Sequence, residues 1–442
     1  MRTMLGGAVL GVLGCLPGAA DALDTSIRPE LRQPAAKLAL AQTADLSRSL
    51  RPQVRPVKQT VTEPEDSPVT NQRFQYWLRA FKERAVAQGI SPDVLDRALQ
   101  GLRYDADVIK RDRNQSEFTK TIWEYLDSAA SDVRIANGKS ALAGHRATLE
   151  AIEAKYGVDK EVVVAIWGLE SAYGSFRGKS NVIRSLATLA FDARRSAFFE
   201  DQLIAALRIL QSGDTTPANM TGSWAGAMGH TQFMPTSYLD YAVDFTGDGR
   251  RDIWSDDPSD ALASTAAYLK RFGWTQGQPW GVEVQIPDGF NYTLAKRSIT
   301  KAPSAWAQLG VVDMSGRAVP DHGLASVLLP AGGNGAAFLI FDNFAVIERY
   351  NSADAYVIGV GHLSDRIKGG PPIQSPWPRE DRALTLKERK ELQTRLTEKG
   401  FDTQGIDGKI GPLTIEAVRS FQLAEGLKPD GYASLNVLKR LR

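Results

Sequence analysis

The residue best placed for acid–base chemistry is Glu170, near the end of a predicted helix. Apolar residues recur at helical spacing before it, and Glu170 follows Ile166 by four positions and Trp167 by three. If this stripe faces the core, the carboxyl group is poorly solvated and its pKa rises, as a proton donor near neutral pH requires. The alternative from this stretch alone is a solvated glutamate at a helix end, the commoner place for a lone charged residue.

A glycine-rich stretch over residues 222–241 offers polar groups suited to a carbohydrate. Gly226 and Gly229 allow the backbone to approach a ligand closely. Ser223 and Gln232 supply neutral hydrogen-bonding groups that match sugar hydroxyls and amides. An ordinary glycine-rich turn explains the same residues without a ligand.

A second group of sugar-compatible side chains follows about 120 residues later. Tyr350 and Asn351 are adjacent, and Tyr356 comes six residues after Tyr350. Tyrosine rings and an asparagine suit the faces and hydroxyls of sugar rings. A structural aromatic cluster explains this grouping equally well.

The segment directly after the glycine-rich stretch has the pattern of half a calcium-binding loop. Asp244, Thr246 and Asp248 supply oxygens at positions one, three and five, Gly249 stands at six, and the Arg250 carbonyl stands at seven. A serine replaces the expected glutamate at position twelve. A solvated acidic turn, a sodium site and an empty loop are the alternatives. Three later residues are candidates for the closing carboxylate: Asp256, Asp257 and Asp260.

Helical periodicity surrounds these candidates and predicts an α-rich body that begins near Gln72. Asp159 is the expected cap of the Glu170 helix, and Gly174 its expected end. Alternating apolar residues predict short strands in a small appended sheet at 281–286 and 337–341. The remaining helices are predicted over residues 74–88, 92–102, 118–125, 140–156, 195–210 and 260–272.

Size and composition limit the possible functions. The chain has 442 residues, enough for two or three domains, and a net charge of +2 gives no electrostatic case for nucleic-acid binding. Its four histidines show no metal-ligand spacing. After the N-terminal run, no stretch holds enough consecutive apolar residues for a transmembrane helix.

The N-terminus has the features of an export signal. The apolar run from Met4 to Pro17 and the Ala20-Asp21-Ala22 cleavage site predict a signal peptide over residues 1–22 and a location in the periplasm. Cys15, the single cysteine, lies in an imperfect lipobox, so a lipid anchor to the outer membrane is the alternative to a free form. Residues 23–70 are rich in Pro, Gln, Thr and charge and are predicted to be a flexible tether.

The C-terminal end has a separate pattern. A proline-rich linker is predicted over residues 371–383, between a catalytic domain at 71–370 and a small domain at 384–442. This last segment contains three short helical patterns joined by two Asp-Gly turns, and Pro412 suits the first turn of its second helix. Three helices around one small core are therefore expected.

Taken together, these residues resemble the B-type lytic murein transglycosylases, and the tail resembles the three-helix peptidoglycan-binding domain. The tail motifs are Gly405-Ile406-Asp407-Gly408, Gly411-Pro412 and Phe421-Gln422. The body motifs are Glu170-Ser171 with Tyr173-Gly174, Leu186-Ala187-Thr188-Leu189, Gly226-Ala227-Met228-Gly229 leading to Gln232-Phe233-Met234-Pro235, the Asp244–Asp248 loop and Tyr350-Asn351.

The resemblance implies a mainly α (α+β) fold, with a lysozyme-like core, a small β element and the three-helix tail. It implies that Glu170 is the single catalytic acid and base and that no cofactor is required, apart from a structural calcium ion. The calcium ligands by this likeness are Asp244, Thr246, Asp248, the Arg250 carbonyl and Asp260. The groove positions are Tyr125, Ser223, Gln232, Tyr268, Tyr350, Asn351 and Tyr356.

The implied reaction cleaves the β-1,4 bond between N-acetylmuramic acid and N-acetylglucosamine without water, leaves 1,6-anhydromuramic ends and serves wall remodelling. Ordinary glycosidases need two carboxylates, and the motifs present only Glu170 on an apolar stripe. A hydrolytic muramidase is the alternative enzyme. A non-catalytic peptidoglycan-binding protein is the alternative from another class, although a pure binder has no need of such a carboxylate.

Overall fold

A computed structural model describes residues 68–113, 120–192 and 194–442 of the chain. Within these ranges, no helix combines the length and the apolar composition needed to cross a membrane. The predicted signal peptide, Cys15 and nearly all of the tether lie outside the described residues. The first helix begins at Pro68, four residues before the predicted start of ordered sequence at Gln72.

The described residues form a mainly helical body with two small antiparallel sheets and a helical tail. The body helices are α1 Pro68–Ala87, α2 Pro92–Leu99, α3 Ala106–Arg113, α4 Ile122–Ala129, α5 Asp132–Gly144, α6 Arg146–Tyr156, α7 Lys160–Ser171, α8 Val182–Phe191, α9 Ser196–Ser212, α10 Pro235–Tyr241, α11 Ser259–Arg271, α12 Pro303–Gln308, α13 Asp342–Tyr350 and α14 Asp354–Lys368. The tail helices are α15 Leu386–Glu398, α16 Pro412–Ala424 and α17 Leu435–Leu441. The strands are β1 Ser180–Asn181, β2 Thr221–Gly222, β3 Gly281–Gln285, β4 Val312–Asp313, β5 Ser326–Leu328 and β6 Ala337–Ile340.

This architecture confirms the predicted fold class. The larger sheet has the antiparallel order β4-β3-β6-β5 and its own apolar core around Trp306 and Leu339. Trp280, directly before β3, joins this sheet to α14 because its indole N–H donates to Asp365 at 2.8 Å. Burial raises the pKa of Asp365 to about 6. The sheet therefore braces α14, which faces the Glu170 helix.

Helix α7 is buried on nearly every side, which explains its apolar sequence. All residues from Val162 to Gly168 are buried, and α14, α5 and α11 pack around the helix. A helix that is apolar all round belongs in a protein interior. Glu170 thus lies in the last turn of a core helix, as the apolar stripe predicts.

Two local predictions around α7 are wrong. The segment 140–156 is not one helix, since the chain turns at His145, whose ring packs edge-on against Trp167 at 5.4 Å. Asp159 makes no cap hydrogen bond. Its carboxylate accepts instead from the Trp274 indole at 2.9 Å and the Gly277 N–H at 3.1 Å. The Asp159 carboxylate, which the local sequence predicts to cap the helix, therefore binds residues that are distant in sequence.

The end of α7 also differs from the prediction, since the helix stops at Ser171 and not at Gly174. Ala172 and Tyr173 adopt left-handed backbone angles, with φ of 48° and 57°, and the Tyr173 ring folds back over Gly168. The Tyr173 hydroxyl then donates to the Arg134 carbonyl at 2.8 Å. Glycine at 168 gives the room for this ring, because a Cβ there would lie 2.5 Å from it.

The tail has an apolar core of its own and contacts the body. The buried side chains of Leu392, Val418 and Phe421 belong to the core that joins its three helices. The Arg419 guanidinium donates to the Ala295 carbonyl at 3.2 Å, and the Gly333 N–H donates to Asp430 at 2.9 Å. Both contacts connect the tail to the segments that flank the larger sheet.

The packing of Tyr173 on Gly168 leads to a stability prediction. Gly168→Ala should lower the free energy of unfolding by about 1–3 kcal/mol, since the new methyl overlaps a packed ring. Gly144→Ala, in helix α5 with open space at its Cβ position, is the control and should be neutral or stabilising. Urea unfolding followed by circular dichroism measures both. Equal stability of the two variants would contradict the packing argument.

Candidate active site

Glu170 meets Tyr356 where the end of α7 faces the first turn of α14. The Tyr356 hydroxyl donates to Glu170 Oε1 at 2.6 Å. Burial raises the pKa of Glu170 to about 7, and the hydrogen bond from Tyr356 acts in the opposite direction because it stabilises the carboxylate. The Glu170 side chain nevertheless keeps partial solvent access. The site therefore holds a carboxyl group that titrates near neutrality and can still be reached.

No charged side chain of the described residues acts on this carboxyl group. Burial and the Tyr356 hydrogen bond are the two influences on its pKa. A paired carboxylate nearby would raise that pKa by repulsion, and an adjacent cation would lower it. The hydrogen-bond partner of Glu170 in the described part of the chain is therefore a neutral hydroxyl, that of Tyr356.

Other predicted groove tyrosines gather beside this pair. Burial, then Glu170, and then the proximity of Tyr350 and Tyr125 raise the pKa of Tyr356 well above its ordinary value. Tyr268 packs against Tyr350 with ring centroids 5.1 Å apart. The hydroxyls of these last two tyrosines donate to the backbone, Tyr268 to Arg349 and Tyr350 to Thr231, each at 2.6 Å. The Tyr268 ring is itself buried against Tyr241 and Phe272, whereas Tyr350 keeps partial exposure.

The remaining predicted groove residues maintain loop structure. Ser223 Oγ accepts from the Ala227 N–H at 3.0 Å. Gln232 has a left-handed φ of 55°, and its amide donates to the Gly229 carbonyl at 2.8 Å. Asn351 is exposed, and its side-chain oxygen accepts from the backbone two residues on. Ser223 and Gln232 are partly exposed, so each keeps some surface toward solvent.

A buried junction that the sequence reasoning missed connects α7 to the glycine-rich loop. The Ser171 hydroxyl donates to the His230 carbonyl and accepts from the Gly174 N–H at 3.0 Å. His230 Nδ1 accepts from the Trp167 indole at 3.1 Å, so its Nε2 carries the proton and donates to the Ser255 carbonyl at 2.8 Å. Burial lowers the pKa of His230, which keeps the ring neutral.

The loop before Tyr356 has a cationic brace that was also missed. Arg297 donates to Glu348 of α13 at 2.5 Å and to Asp354 at the start of α14. These two carboxylates flank the residues that connect the helices. Arg297 lies in the segment after β3, some fifty residues before Glu348. In the sequence, only its opposite charge could have indicated this contact.

The predicted calcium loop is organised by hydrogen bonds to backbone groups. Asp244 accepts from the N–H groups of Gly247 at 2.6 Å and Gly249 at 2.8 Å. Asp248 accepts from the Arg250 N–H at 2.9 Å. The buried carboxylate of Asp260 accepts three N–H groups at 2.9–3.1 Å, from Phe245, Thr246 and Asp252.

These hydrogen bonds differ from the predicted ion-binding arrangement. Over the described ranges, no group of three or more histidine, cysteine, aspartate or glutamate side chains is placed to hold one metal ion. One Asp260 oxygen accepts from Phe245 and Thr246 and the other from Asp252, so this carboxylate holds the backbone of the loop. In this arrangement the loop carboxylates accept backbone N–H groups, and a bound ion stays a prediction.

Comparison with protein families matches both parts of the chain. The transglycosylase SLT domain matches residues 73–365, and a peptidoglycan binding domain matches residues 385–441. This chain belongs to the transglycosylase SLT family. The predicted family and the predicted tail domain are thereby confirmed, whereas the exact domain boundaries stay predictions.

Several relatives of this SLT-family chain are lytic murein transglycosylases. Membrane-bound lytic murein transglycosylase B of Escherichia coli K12 is 36% identical over 219 residues, 48% of this chain, and the chain spans 58% of the length of that relative. SltB3 of Pseudomonas aeruginosa, solved with NAG-anhNAM-pentapeptide, is 49% identical, with a TM-score of 0.81 over 84% of this chain and 99% of SltB3. Slt35 of Escherichia coli, solved with calcium, is 30% identical, with a TM-score of 0.55 over 67% of this chain and 93% of Slt35.

The contact between Tyr356 and Glu170 in this SLT-family site predicts a pKa change. Tyr356→Phe removes the bond that stabilises the carboxylate, so the pKa of Glu170 should rise above about 7. Tyr268→Phe is the control, because that hydroxyl donates to the Arg349 carbonyl and should leave the Glu170 pKa unchanged. Carbon-13 NMR titration of glutamate-labelled protein measures the shift. A lower pKa in Tyr356→Phe would refute the assigned bond.

The backbone contacts of Asp260 predict a stability effect that needs no metal. Asp260→Asn replaces one accepting oxygen by an N–H donor and should lower the free energy of unfolding by about 1–3 kcal/mol in EDTA. Thermal unfolding with EDTA and with added calcium measures this cost. A loss that occurs only in calcium would show that Asp260 acts through a bound ion instead.

Proposed function

We propose that this protein is a lytic transglycosylase that cleaves the β-1,4 bond between N-acetylmuramic acid and N-acetylglucosamine in peptidoglycan. The observation that carries the proposal is the carboxyl group of Glu170, with a pKa of about 7, a hydrogen bond from Tyr356 and no charged neighbour acting on it. Family membership and the enzymes among its relatives support the same activity.

In the proposed reaction, Glu170 first acts as the acid. Its proton passes to the glycosidic oxygen as the bond from that oxygen to C1 of the muramic residue breaks. The substrate's own acetamido group steadies the cationic C1. The hydroxyl of Tyr356 donates to the carboxylate that forms, so this contact strengthens as the negative charge develops.

Glu170 then acts as the base. Its carboxylate takes the proton of the C6 hydroxyl, and O6 bonds to C1 to close the 1,6-anhydro ring. No water is consumed, and the carboxyl group ends protonated as it began. Holding the C6 hydroxyl next to C1 makes the second step intramolecular, which supplies the proximity advantage.

Two observations favour ring closure over hydrolysis. The pKa of Glu170 shows no influence of a second carboxylate among the described residues, whereas an ordinary hydrolase has two carboxyl groups at the bond. SltB3, at 49% identity, was solved with a ligand that carries an anhydro sugar. The groove residues of this proposal are Tyr125, Ser223, Gln232, Tyr268, Tyr350, Asn351 and Tyr356.

The other parts of the chain fit an enzyme of the cell wall. We infer that the tail at residues 384–442 holds the enzyme on peptidoglycan, in line with the family of residues 385–441. Export to the periplasm, with or without a lipid on Cys15, stays a prediction from the first 22 residues. Calcium in the Asp244–Asp260 loop also stays a prediction, supported by the calcium complex of Slt35.

The proposal predicts that Glu170→Gln lowers the turnover of purified peptidoglycan by at least about a hundredfold, since amide nitrogen cannot replace the acid. Glu161→Gln, on the same helix and beside Lys160, is the matched control and should keep its activity. Mass spectrometry of wild-type digests should show muropeptide ends lighter by one water. Predominantly reducing ends would favour hydrolysis, and undiminished turnover by Glu170→Gln would refute the assignment.

The fold of Glu170→Gln can be checked through the pH dependence of stability. The folded-state pKa of about 7 lies above the ordinary value of 4.5, so the folded protein loses stability as the pH rises through this interval. Glutamine has no such titration. At pH 8 the variant should be at least as stable as the wild type, which separates lost chemistry from lost folding.

A further inference from the structure

The predicted proline-rich linker is bound to the catalytic body over residues 373–379, which we call the strap. Two of its backbone N–H groups donate to the Glu283 carboxylate of β3, from Gln374 at 2.8 Å and from Ser375 at 2.7 Å. The prolines of the strap lack an N–H donor and have a fixed φ, so the segment has few alternative conformations. The chain is therefore fastened to the sheet before it reaches the tail.

The strap then holds helix α4 through two side chains. The Trp377 ring lies 6.3 Å from the ring of Trp123, which is buried in α4. The Arg379 guanidinium donates to both carboxylate oxygens of Asp127, at 2.8 and 2.9 Å. Trp123 and Asp127 stand four residues apart, so they lie on one face of α4. One aromatic contact and one bidentate ion pair thus join this face to the strap.

Another face of α4 lies on the helix that carries Tyr356. A Cβ on Gly359 would sit 2.9 Å from the Tyr125 ring of α4 and 3.5 Å from Leu169 of α7. Gly359 follows Tyr356 by three residues, and Leu169 directly precedes Glu170. Helices α4, α7 and α14 therefore meet within one turn of the two residues of the candidate acid–base pair.

The contact with α4 bears on how well the acid is solvated. Burial is the main cause of the raised pKa of Glu170, and Tyr125 contributes to the raised pKa of Tyr356. A displacement of α4 from Gly359 would open this side of the pair to water, which favours the carboxylate over the acid. A segment that only connected two domains would need length and no such contact.

We propose that Trp377 and Arg379 are positioning residues, which act on the active site by holding α4 in place. With α4 held, the Tyr125 ring stays on Gly359 and water is kept from this side of Glu170. The consequence for catalysis rests on the proposed function, whereas the consequence for the solvation of Glu170 does not. The segment that leads to the tail is in this way a working part of the catalytic body.

The test measures the Glu170 pKa in strap variants, by carbon-13 NMR titration of the glutamate-labelled full chain. Trp377→Ala should lower this pKa from about 7 towards its ordinary value of 4.5, because α4 is held less firmly and the carboxylate gains water. Trp377→Phe keeps an aromatic ring against Trp123 and should restore most of the wild-type value. If Trp377→Ala does not fold, Trp377→Leu takes its place in the titration.

The ion pair of the strap has a matched control in the same segment. Arg379→Ala should speed the hydrogen exchange of the α4 amides about two- to fivefold, the effect expected for one exposed ion pair. Arg382 makes the same bidentate contact with Glu388 of the tail, at 2.6 and 2.8 Å. Arg382→Ala should therefore change neither the exchange of α4 nor the pKa of Glu170.

The pH dependence of kcat gives a second readout. An acid with a lower pKa loses its proton at lower pH, so the alkaline limb of the profile should move to lower pH in Trp377→Ala and stay in place in Arg382→Ala.

The measurements separate failure of this inference from failure of the proposed function. Faster exchange of α4 with an unchanged Glu170 pKa would make the strap purely structural and overturn the inference. Unchanged exchange of α4 in both Trp377→Ala and Arg379→Ala would overturn it as well. A wild-type protein that cleaves no peptidoglycan would refute the proposed function alone, since the titration and the exchange need no substrate.

Discussion

The chemistry of the site depends on one hydrogen bond in a poorly solvated place, from the Tyr356 hydroxyl to the Glu170 carboxyl. Burial disfavours the ionised acid, and the hydroxyl partly restores it, so the pKa settles at about 7. Neither influence alone gives that value. The bond exists because α7 and α14 are packed on each other, and both are held by neighbours that never touch the site.

Those neighbours act mainly through backbone groups. Ser171 binds the His230 carbonyl, Tyr173 binds the Arg134 carbonyl, and Asp260 gathers three N–H groups of the loop before α11. Bonds of this kind fix the path of the chain whatever the neighbouring side chains are. They let a glycine-rich loop, which has little side-chain packing of its own, keep one shape beside the acid.

Glu170 can be singled out from the sequence more readily than the helix that carries its hydrogen-bond partner. Glu170 could be found because its i−4 and i−3 neighbours are core residues, and helical periodicity is a local property. Helix α14 was not predicted, although it carries Tyr356. Its glycines at 359 and 361 lower helix propensity and are explained only by close contacts, with Tyr125 and with Trp280.

The wrong and the missing predictions have one cause, which is contact between residues that are distant in sequence. Asp159 has the local signature of a cap, yet a tryptophan more than a hundred residues away takes its carboxylate. The junction at His230 and the brace at Arg297 join segments that are distant in sequence, so no spacing could have indicated them. Local pattern identifies groups that could react, whereas the partners that set their pKa and position come from tertiary packing.

The proposed reaction also requires a single carboxyl group with a pKa near neutral pH. One group must give up a proton in the first step and recover one in the second, so a strongly acidic group would be a poor donor and a strongly basic one would hold its proton. In a two-carboxylate site the roles are divided by pushing two pKa values apart. In the proposed reaction one group with a pKa of about 7 would serve both steps in turn, and the Tyr356 hydroxyl would stabilise the carboxylate formed between them.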